Sequence, residues 1–304
     1  ELDPISNIWL ARAGEAVGLP KGALNILCGL GHEAGAALSS HPDIGNIVFT
    51  ESVETGIRVA TAAAANVKPA ILQLGSKSAA IIITDADLDT VMDSVRWGIY
   101  FNAGQVCSAM SRVIAHEDVH DEIVDRCVAL AESLSVGPGI ERSEFGANMG
   151  AMVSDPQRDR AEGLVEAAAA EGATVATGGR RLNLPGSFLA PTVISGVTPD
   201  MQIAGTEVFG PVLSVLKTGS EDEAINIANS TEYGLVGGIF TADIDAAHRA
   251  ARRIRAGQIF INEWFAGGVE TPFGGYGKSG YGREKGREAL WNYVQTKNIA
   301  YRTR

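Results

Sequence analysis

Residues 79–116 read AAIIITDADLDTVMDSVRWGIYFNAGQVCSAMSRVIAH, and this stretch predicts a strand, a helix and a second strand. The apolar run Ala79–Thr84 has the length of a buried strand. The residues Asp85-Ala-Asp-Leu-Asp89 mark a helix start, because acidic side chains are stabilised at the positive end of a helix. That helix should reach about Phe101, and a second strand is expected over 111–116. The pattern therefore predicts two parallel strands joined by a right-handed helical crossover.

The same alternation extends to both sides of this stretch. Before it we expect helices at 5–17, 32–39 and 52–65, and strands at Leu24–Leu27, Asn46–Phe49 and Pro69–Leu74. After it we expect helices at 119–134, 155–170, 221–229, 244–254 and 284–294, and strands at 212–216, 236–240, 258–262 and Lys297–Tyr301. This alternation indicates an α/β fold in which helices cover a parallel sheet. We place a domain boundary near Gly75.

Composition and charge argue against several classes of protein. The 304 residues carry a net charge of −11, from 36 acidic and 25 basic residues. No Lys/Arg-rich stretch could grip a phosphate backbone, so nucleic acid is not expected as a partner. There is no uninterrupted apolar run of about 18 residues and no signal-peptide pattern, so we expect a cytoplasmic protein without a membrane partner. The chain starts at Glu1 rather than Met, which suggests that material upstream is absent.

The cysteines Cys28, Cys107 and Cys127 are odd in number and lack metal-ligand spacing, so neither a disulfide framework nor a metal site is expected. Cys107 ends the segment FNAGQVC (101–107), just beyond a predicted helix, where Gly104 lets the backbone turn tightly. Its thiol is either an accessible nucleophile or a small buried hydrophobic group. Cys127, inside a helix, and Cys28, next to a strand, are expected to pack.

Four blocks in order resemble the aldehyde dehydrogenase superfamily: FNAGQVC at 101–107, EVFGPV at 207–212, NSTEYGL at 229–235 and PFGGYGKSGYGREKG at 272–286. The resemblance covers the chain from Glu1 to its last predicted strand. It implies an α/β aldehyde dehydrogenase-like fold in which a partial dinucleotide-binding parallel sheet precedes an α/β catalytic domain. The carboxy-terminal half of the NAD(P)-binding domain would be 1–75 and the catalytic domain 76–271. Residues 272–304 would return to the cofactor domain and end in an oligomerisation strand, giving a homodimer or homotetramer.

The resemblance implies NAD(P)-dependent oxidation of an aldehyde to a carboxylic acid. Cys107 would attack the carbonyl, and its backbone N–H would form half of an oxyanion hole. The thiohemiacetal would pass hydride to nicotinamide and leave a thioester that water hydrolyses. Asn102, in the same loop, is a further catalytic candidate. Asn262, Trp264 and Phe265 would border a substrate tunnel, or else pack as ordinary core or interface residues, and they leave the aldehyde unidentified.

The resemblance also implies NAD or NADP as cofactor. Glu207 would accept hydrogen bonds from the nicotinamide-ribose hydroxyls, since a carboxylate is only an acceptor, or it is a surface charge. Phe209 would pack beside the nicotinamide. Ser52 would bond the pyrophosphate or simply cap its helix. The remaining expected cofactor residues lie at strand ends and helix starts, where glycines admit a close ligand: Gly29, Gly31, Gly35, Phe49, Thr50, Leu74 and Gly75.

Two stretches depart from the family pattern. The family has Glu-Leu-Gly-Gly-Lys, whose glutamate is the general base for thioester hydrolysis, where this chain has Gln73-Leu-Gly-Ser-Lys77. A glutamine holds water but cannot take its proton, so deacylation should slow by about 10²- to 10⁴-fold. Glu51 replaces a glycine of the family, and its carboxylate would repel a pyrophosphate.

These departures leave three hypotheses open. The chain belongs to an impaired aldehyde oxidoreductase, to a relative that discharges the acyl group to coenzyme A, or to a non-catalytic member that serves as an assembly or binding module. Lys77 is expected to be structural or to place a charge near the base position. His116 and His120 lie outside every block, so we expect them to be solvated or to cap a helix.

Overall fold

The structure is a computed structural model that describes residues 1–139 and 148–303. The chain divides into two units, Glu1–Ile71 and Leu72–Arg304. None of the described helices is both long and apolar enough to span a membrane.

The first unit follows the predicted alternation. Its elements are helix α1 (Ile5–Ala16), a π-type turn (Gly31–Gly35) that leads into α2 (Ala36–Ser40), strand β1 (Ile47–Thr50), α3 (Val53–Ala64) and β2, which starts at Ala70 and runs to Gln73. The strand expected at Leu24–Leu27 is wrong. No described strand pairs with that segment, and Leu27 is 69% exposed. A strand needs a neighbouring strand to hydrogen-bond its backbone N–H and C=O groups, so an apolar run alone does not form a strand.

The second unit is built on a seven-stranded sheet. Its strands are β3 (Ala79–Ile82), β4 (Arg112–His116), β7 (Thr174–Thr177), β8 (Thr192–Ser195), β9 (Val212–Thr218), β10 (Val236–Phe240) and β11 (Gln258–Ile261). The order across the sheet is β11-β10-β3-β4-β9-β8-β7, and every neighbouring pair is parallel except β7 and β8. Two short parallel strands, β5 (Ser135–Val136) and β6 (Asn148–Met149), form a separate pair. The parallel sheet inferred from the sequence is confirmed.

Helices cover both faces of this sheet. They are α4 (Leu88–Tyr100), α5 (Glu117–Ser133), α6 (Asp155–Ala170), α7 (Gln202–Gly205), α8 (Glu221–Ala228) and α9 (Ile244–Arg253). Ala80 and Ile82 pack in a core with α4 and α5, whereas Ala79 and Ile81 pack in a core with α6, α8 and α9. Successive residues of a strand point to opposite faces. A strand that is apolar on both faces therefore requires helices on both sides.

The carboxy-terminal segment differs from the prediction. The helix expected at 284–294 is wrong: Lys285 and Gly286 have φ values of 56° and 58°, and only a 3-10 turn at Glu288–Tyr293 follows. Left-handed backbone interrupts a right-handed helix. The segment expected to form a final strand, Lys297–Tyr301, is exposed and pairs with no described strand of this chain, and its pairing across a subunit interface stays a prediction.

Five strands of the second unit were missed by the sequence reasoning, including the two short strands β5 and β6. β7 and β8 lie between the predicted helix 155–170 and the predicted strand 212–216, where no strand was expected. Strand β12 (Gly280–Tyr281) pairs antiparallel with Leu72 and Gln73 at the end of β2. Its two residues are too few for periodicity to reveal a strand.

Candidate functional site

The candidate site lies at the amino-terminal edge of the parallel sheet. Ala79, Arg112 and Ser214 are neighbours in register at the beginnings of β3, β4 and β9. The segments that enter these strands therefore meet at one edge. Those segments carry Gln73–Lys77, the Cys107 loop and Glu207–Phe209.

Unusual backbone conformations shape the loop that carries Cys107. Asn102, Ala103 and Gly104 have φ values of 52°, 53° and 70°. A side chain at Gly104 would overlap the carbonyl oxygen of Gly210, so this position requires glycine for both its φ and its space. The predicted tight turn at Gly104 is confirmed.

Side-chain amides brace the same loop. Asn102 Nδ2 donates to Gln105 O at 3.0 Å, and Gln105 Nε2 donates to Asn102 O at 3.1 Å. The backbone N–H of Val153 donates to Gln105 Oε1 at 2.8 Å. Asn102 therefore holds the loop, which is a positioning role.

Cys107 is half-buried rather than sealed in the core. Burial raises the pKa of its thiol above the ordinary value, and the negative charge of Glu207 raises the pKa further. The backbone N–H groups of Ser108 and of Cys107 itself lower the pKa, and Glu284 adds a smaller upward effect. The thiol is thus reachable but mostly protonated near neutral pH, so it must lose its proton before or during an attack.

Glu207 is held by the backbone of the segment that enters β3 and by a side chain of α6. The N–H of Ser76 donates to Glu207 Oε1 at 2.9 Å, and a side chain at Gly75 would overlap this carboxylate. On the main chain, Arg160 Nη2 donates to Glu207 O at 2.9 Å. Gln157 Nε2 donates to Phe209 O at 2.9 Å. These contacts fix the acid in place, and sequence reasoning identified neither Arg160 nor Gln157, because both belong to an ordinary-looking helix.

Phe209 is prominent in this segment. Its φ is 54°, and its side chain is 37% exposed although it is large and apolar. A bulky residue in left-handed backbone is strained unless its surroundings impose it. The hydrogen bonds from Gln157 supply that constraint here.

Gln73, expected at the base position, ends β2 and is 1% exposed. Its Nε2 donates to Phe273 O at 3.3 Å, while its buried Oε1 has no hydrogen-bond partner among the described residues. Ser279 fixes the segment that follows. Its carbonyl accepts from Leu74 N at 3.1 Å, and its Oγ donates to Gly75 O at 2.8 Å. A buried acceptor without a partner is costly, so a water is expected at Oε1.

Lys77 lies in the segment that enters β3 at the same sheet edge, and its amine is buried. Its side chain is 1% exposed, and Nζ has no hydrogen-bond partner among the described residues. Burial lowers the pKa of Lys77 to about 7, and the charge of Arg112 lowers it while that of Glu207 opposes the fall. The sequence analysis expected Lys77 to be structural or to place a charge near the base position, and it did not predict that this amine titrates near neutral pH.

An aromatic and acidic groove of about 650 Å³ borders the Cys107 loop. It is lined by Asp89, Thr90, Asp93, Ser94, Trp97, Phe101, Asn262, Glu263, Trp264 and Phe265. Phe101 and Phe265 meet edge to face with ring centroids 6.3 Å apart. Trp264 Nε1 donates to Ser108 O at 3.0 Å, which ties the groove to the residue after Cys107. The structure thus places Asn262, Trp264 and Phe265 together on the groove wall.

In the first unit, the expected cofactor residues lie around helix starts. Ser52 caps α3, where its Oγ accepts from Thr55 N at 3.4 Å, so the capping interpretation is confirmed. Gly31 and Gly35 bound the π-type turn, and no atom would meet a side chain at either. Gly29 is next to that turn, while Phe49 and Thr50 end β1. Glu51 is exposed directly before Ser52.

Four side-chain expectations outside the site can be compared with the structure. Cys127 is fully buried, which raises its pKa to about 12, and its packing role is confirmed. Cys28 is exposed, so the packing expected of it is wrong, because its segment forms no strand. His116 caps α5 by accepting from Asp118 N at 3.2 Å, as expected. His120 is only 7% exposed, so its solvated interpretation is wrong. It lies on the inner face of α5.

Comparison with known proteins gives consistent matches over nearly the whole chain. A model of the aldehyde dehydrogenase family matches residues 1–299. Over 301 residues the chain is 42% identical to the peroxisomal aminoaldehyde dehydrogenase 1 of Pisum sativum, covering 98% of this chain and 59% of that protein. It is 41% identical over 300 residues to the mitochondrial benzaldehyde dehydrogenase of Antirrhinum majus, covering 98% of this chain and 56% of that protein.

Solved structures agree with these matches. A mutant aldehyde dehydrogenase from Bacillus cereus has a TM-score of 0.93 at 40% identity, over 96% of this chain and 59% of that one. Betaine aldehyde dehydrogenase from Staphylococcus aureus, in complex with NAD⁺, has a TM-score of 0.92 at 38% identity, over 96% of this chain and 58% of that one. The chain therefore spans a little under 60% of the length of these structures.

Proposed function

Because the chain belongs to the aldehyde dehydrogenase family, we propose that it carries the nucleophile for NAD(P)-dependent oxidation of an aldehyde to a carboxylic acid. One observation carries the proposal. The half-buried Cys107 thiol shares a sheet edge with the fixed carboxylate of Glu207, and the loop that holds the thiol borders an aromatic groove. A thiol near an ordered acid, in a loop that borders an aromatic recess, is an arrangement that suits covalent chemistry on a small carbonyl compound.

The first step is attack by sulfur on the aldehyde carbon. The thiol loses its proton, a C–S bond forms, and the carbonyl oxygen becomes an alkoxide that the backbone N–H of Cys107 can stabilise. Asn102 and Gln105 keep this loop in shape through their reciprocal hydrogen bonds. The resulting thiohemiacetal loses hydride from carbon and becomes a thioester on Cys107. The groove borders this loop at Phe101 and would receive the aldehyde.

The residues of this chain fit a nicotinamide cofactor in part. A bound NAD or NADP supplies the acceptor for the hydride. The Glu207 carboxylate is held by Ser76 N–H at an edge where Gly75 leaves no side chain in the way, which suits an acceptor for ribose hydroxyls. Leu74 precedes Gly75 and Phe209 lies two residues after Glu207, so both are candidates to contact the nicotinamide. In the first unit, the start of α3 at Ser52 suits an anion, whereas the Glu51 carboxylate next to it opposes one.

The pyrophosphate would lie against backbone at the turn that follows Gly29. Gly31 and Gly35 leave open space there, and a ligand's oxygens can approach N–H groups that lack side-chain cover. Phe49 and Thr50 would contact the same ligand from the end of β1.

Release of the carboxylic acid requires a group that takes a proton from water. Gln73 stands where the family has its base, and an amide cannot take a proton from water. Unless another residue takes this proton, the acyl group persists on Cys107 or passes to a thiol such as coenzyme A. The buried Gln73 side chain is the specific observation that favours acyl transfer as a second candidate function. A binding or assembly role without catalysis is the third candidate.

An aldehyde mixed with NAD⁺ and followed by stopped-flow absorbance tests the proposal. We expect a burst of NADH equal to the enzyme, slow turnover after it, and an acyl group on Cys107 in the intact mass. Cys107→Ser should abolish both signals. Added coenzyme A should raise the steady rate if acyl transfer operates. No burst and no adduct with any aldehyde would leave only the non-catalytic role.

Assignments beyond the site are also proposals. Residues 1–75 would belong to the NAD(P)-binding domain, 76–271 to the catalytic domain, and 272–304 to a returning segment. We propose a homodimer or homotetramer, which light scattering would test. The names of relatives place them in peroxisomes, mitochondria and chloroplasts. A cytoplasmic location therefore stays a prediction.

A further inference from the structure

The side-chain amide of Gln73, at the base position of this chain, already makes a hydrogen bond. Gln73 Nε2 donates to Phe273 O at 3.3 Å, and the side chain is almost completely buried. Its Oε1 can accept a hydrogen bond from a water but cannot accept a proton at neutral pH. If Cys107 carries an acyl group, another residue must take the proton from the water that hydrolyses it.

Glu284 is brought to this place by the backbone. Phe273 N donates to Glu284 O at 2.7 Å, and Glu284 N donates to Phe273 O at 2.7 Å, which makes an antiparallel bridge. The carbonyl oxygen of Phe273 therefore accepts from both Gln73 and Glu284. One oxygen atom joins the residue at the base position to the backbone of a second acid.

The Glu284 carboxylate also acts on the nucleophile. Its negative charge raises the pKa of the Cys107 thiol, an effect that weakens quickly with distance. Burial raises the pKa of Glu284 itself, and the neighbouring Lys285 partly offsets that rise. A carboxylate with a raised pKa is a stronger proton acceptor than a solvated one.

Glu207, the other acid that acts on the thiol, is less suited to this task. Its Oε1 accepts from Ser76 N–H, and its carboxylate lies against the Gly75 backbone. A base must be able to turn toward the water that it deprotonates, and these contacts hold Glu207 in one orientation. Among the described residues, no backbone N–H holds the Glu284 carboxylate in this way.

We infer that Glu284 is the general base for hydrolysis of the acyl group on Cys107 in this chain, and that Gln73 Oε1 orients the water. The inference rests on the proposed function, because it needs a thioester at Cys107. Glu284 takes one proton from water while the water oxygen bonds to the acyl carbon. The C–S bond then breaks, the carboxylic acid leaves, and the proton on Glu284 returns to the sulfur through solvent.

Acylation by an activated ester tests this step without cofactor or hydride transfer. p-Nitrophenyl acetate would acetylate Cys107, and rapid removal of the ester would start the hydrolysis. Intact-protein mass spectrometry then follows the loss of one acetyl group. Cys28→Ser serves as the parent background, because Cys28 is exposed and would also be acetylated. Peptide mapping confirms that the acetyl group is on Cys107.

Glu284→Gln should lengthen the lifetime of the acetyl group by about 10²-fold or more, the usual cost of a missing general base. The rate of acetylation should stay within about threefold of the parent, since attack by the thiol does not use this base. Glu288→Gln is the matched control: it removes one nearby exposed acid, and the lifetime should not change. Adding Gln73→Glu to Glu284→Gln should restore fast hydrolysis, which a purely structural role of Glu284 would not predict.

Two outcomes separate the failures. If Cys107 is acetylated and Glu284→Gln hydrolyses at the parent rate, the inference is overturned while the proposed nucleophile stands. If neither the ester nor an aldehyde with NAD⁺ modifies Cys107, the proposed function fails and the inference fails with it. Circular dichroism of Glu284→Gln, together with the shorter acid in Glu284→Asp, separates lost folding from lost chemistry: a folded Glu284→Asp should hydrolyse at an intermediate rate.

Discussion

The backbone N–H of Ser76 donates a hydrogen bond of 2.9 Å to Oε1 of Glu207. This bond joins the segment that enters β3 to the segment that enters β9. It fixes the carboxylate relative to the sheet edge, while Arg160 fixes the main chain of the same residue. Because the carboxylate is held in place, its negative charge acts on the groups around it. It raises the pKa of the Cys107 thiol.

Removing that charge should activate the thiol. Burial and then Glu207 raise the pKa of Cys107. In Glu207→Gln the pKa should therefore fall, and more of the sulfur is thiolate at any pH below it. We expect alkylation of Cys107 by iodoacetamide to accelerate by about 3- to 10-fold at mildly alkaline pH.

Mass spectrometry of the labelled peptides measures this rate, with the exposed Cys28 as an internal reference and the buried Cys127 as an inert one. Glu288→Gln, which changes the net charge equally, should leave the rate unchanged. An unchanged or slower reaction in Glu207→Gln would show that Glu207 does not act on the sulfur. In the parent, Cys28 should react faster than Cys107, contrary to the expectation of an activated cysteine.

Lys77 should make stability depend on pH. Burial, followed by Arg112, lowers its pKa from 10.5 to about 7 in the folded protein. Below about pH 7 the amine is charged in both states, and the cost of burying that charge is present in full. Between about pH 7 and 10.5 only the unfolded state holds this proton, so the free energy of unfolding rises with pH across this window.

Lys77→Met should remove this rise. Below about pH 7 we expect the variant to be more stable than the parent by about 1 to 4 kcal/mol, since an apolar side chain replaces a buried cation. The difference should shrink toward pH 10. Urea unfolding at several pH values measures it, and Lys297→Met, at an exposed lysine, is the control. A constant difference at all pH values would argue against titration of Lys77 in the folded state.

Gly104 should tolerate no side chain. Its φ is 70°, and a methyl group would overlap the carbonyl oxygen of Gly210. We expect Gly104→Ala to lower the free energy of unfolding by about 2 to 4 kcal/mol and to slow acetylation of Cys107. Gly163→Ala is a matched control, because Gly163 is exposed within α6 with open space around it. That change should stabilise the protein by up to about 1 kcal/mol. Equal effects of both changes would refute the argument for Gly104.

The sequence predicted those elements whose hydrophobic period and length are both clear. The strand Ala79–Ile82, helix α4 and strand β4 form as expected, because apolar residues on both faces and the acidic start at Asp87 point to the same structure. It failed where a strand depends on a distant partner. Leu24–Leu27 looks like a strand locally but has no described neighbour, whereas Gly280–Tyr281 forms one because Leu72 and Gln73 pair with it.

The site shows the same limit. Motif blocks identified Cys107, Glu207 and Gln73, because each stands in a recognisable string of residues. The burial of Lys77 and the approach of Glu284 to the base position depend on contacts between segments far apart in the chain, as in the 200-residue separation of Gln73 and Phe273. No local pattern carries that information.

The aromatic groove should favour cationic aldehydes. Three carboxylates, Asp89, Asp93 and Glu263, line it beside four aromatic rings, while Arg126 pairs with Asp89 at 2.8 Å. Asp93 forms no ion pair with a described residue, so its charge is available to an amino or quaternary ammonium group. Aromatic faces attract the same groups.

In an enzyme with measurable turnover, Asp93→Asn should raise KM for an aminoaldehyde about 3- to 5-fold, the usual strength of an exposed ion pair. KM for a neutral aldehyde of similar size should not change, and Glu166→Gln, an exposed acid in α6, should change neither value. Equal effects of Asp93→Asn on both aldehydes would mean that the groove selects by shape alone.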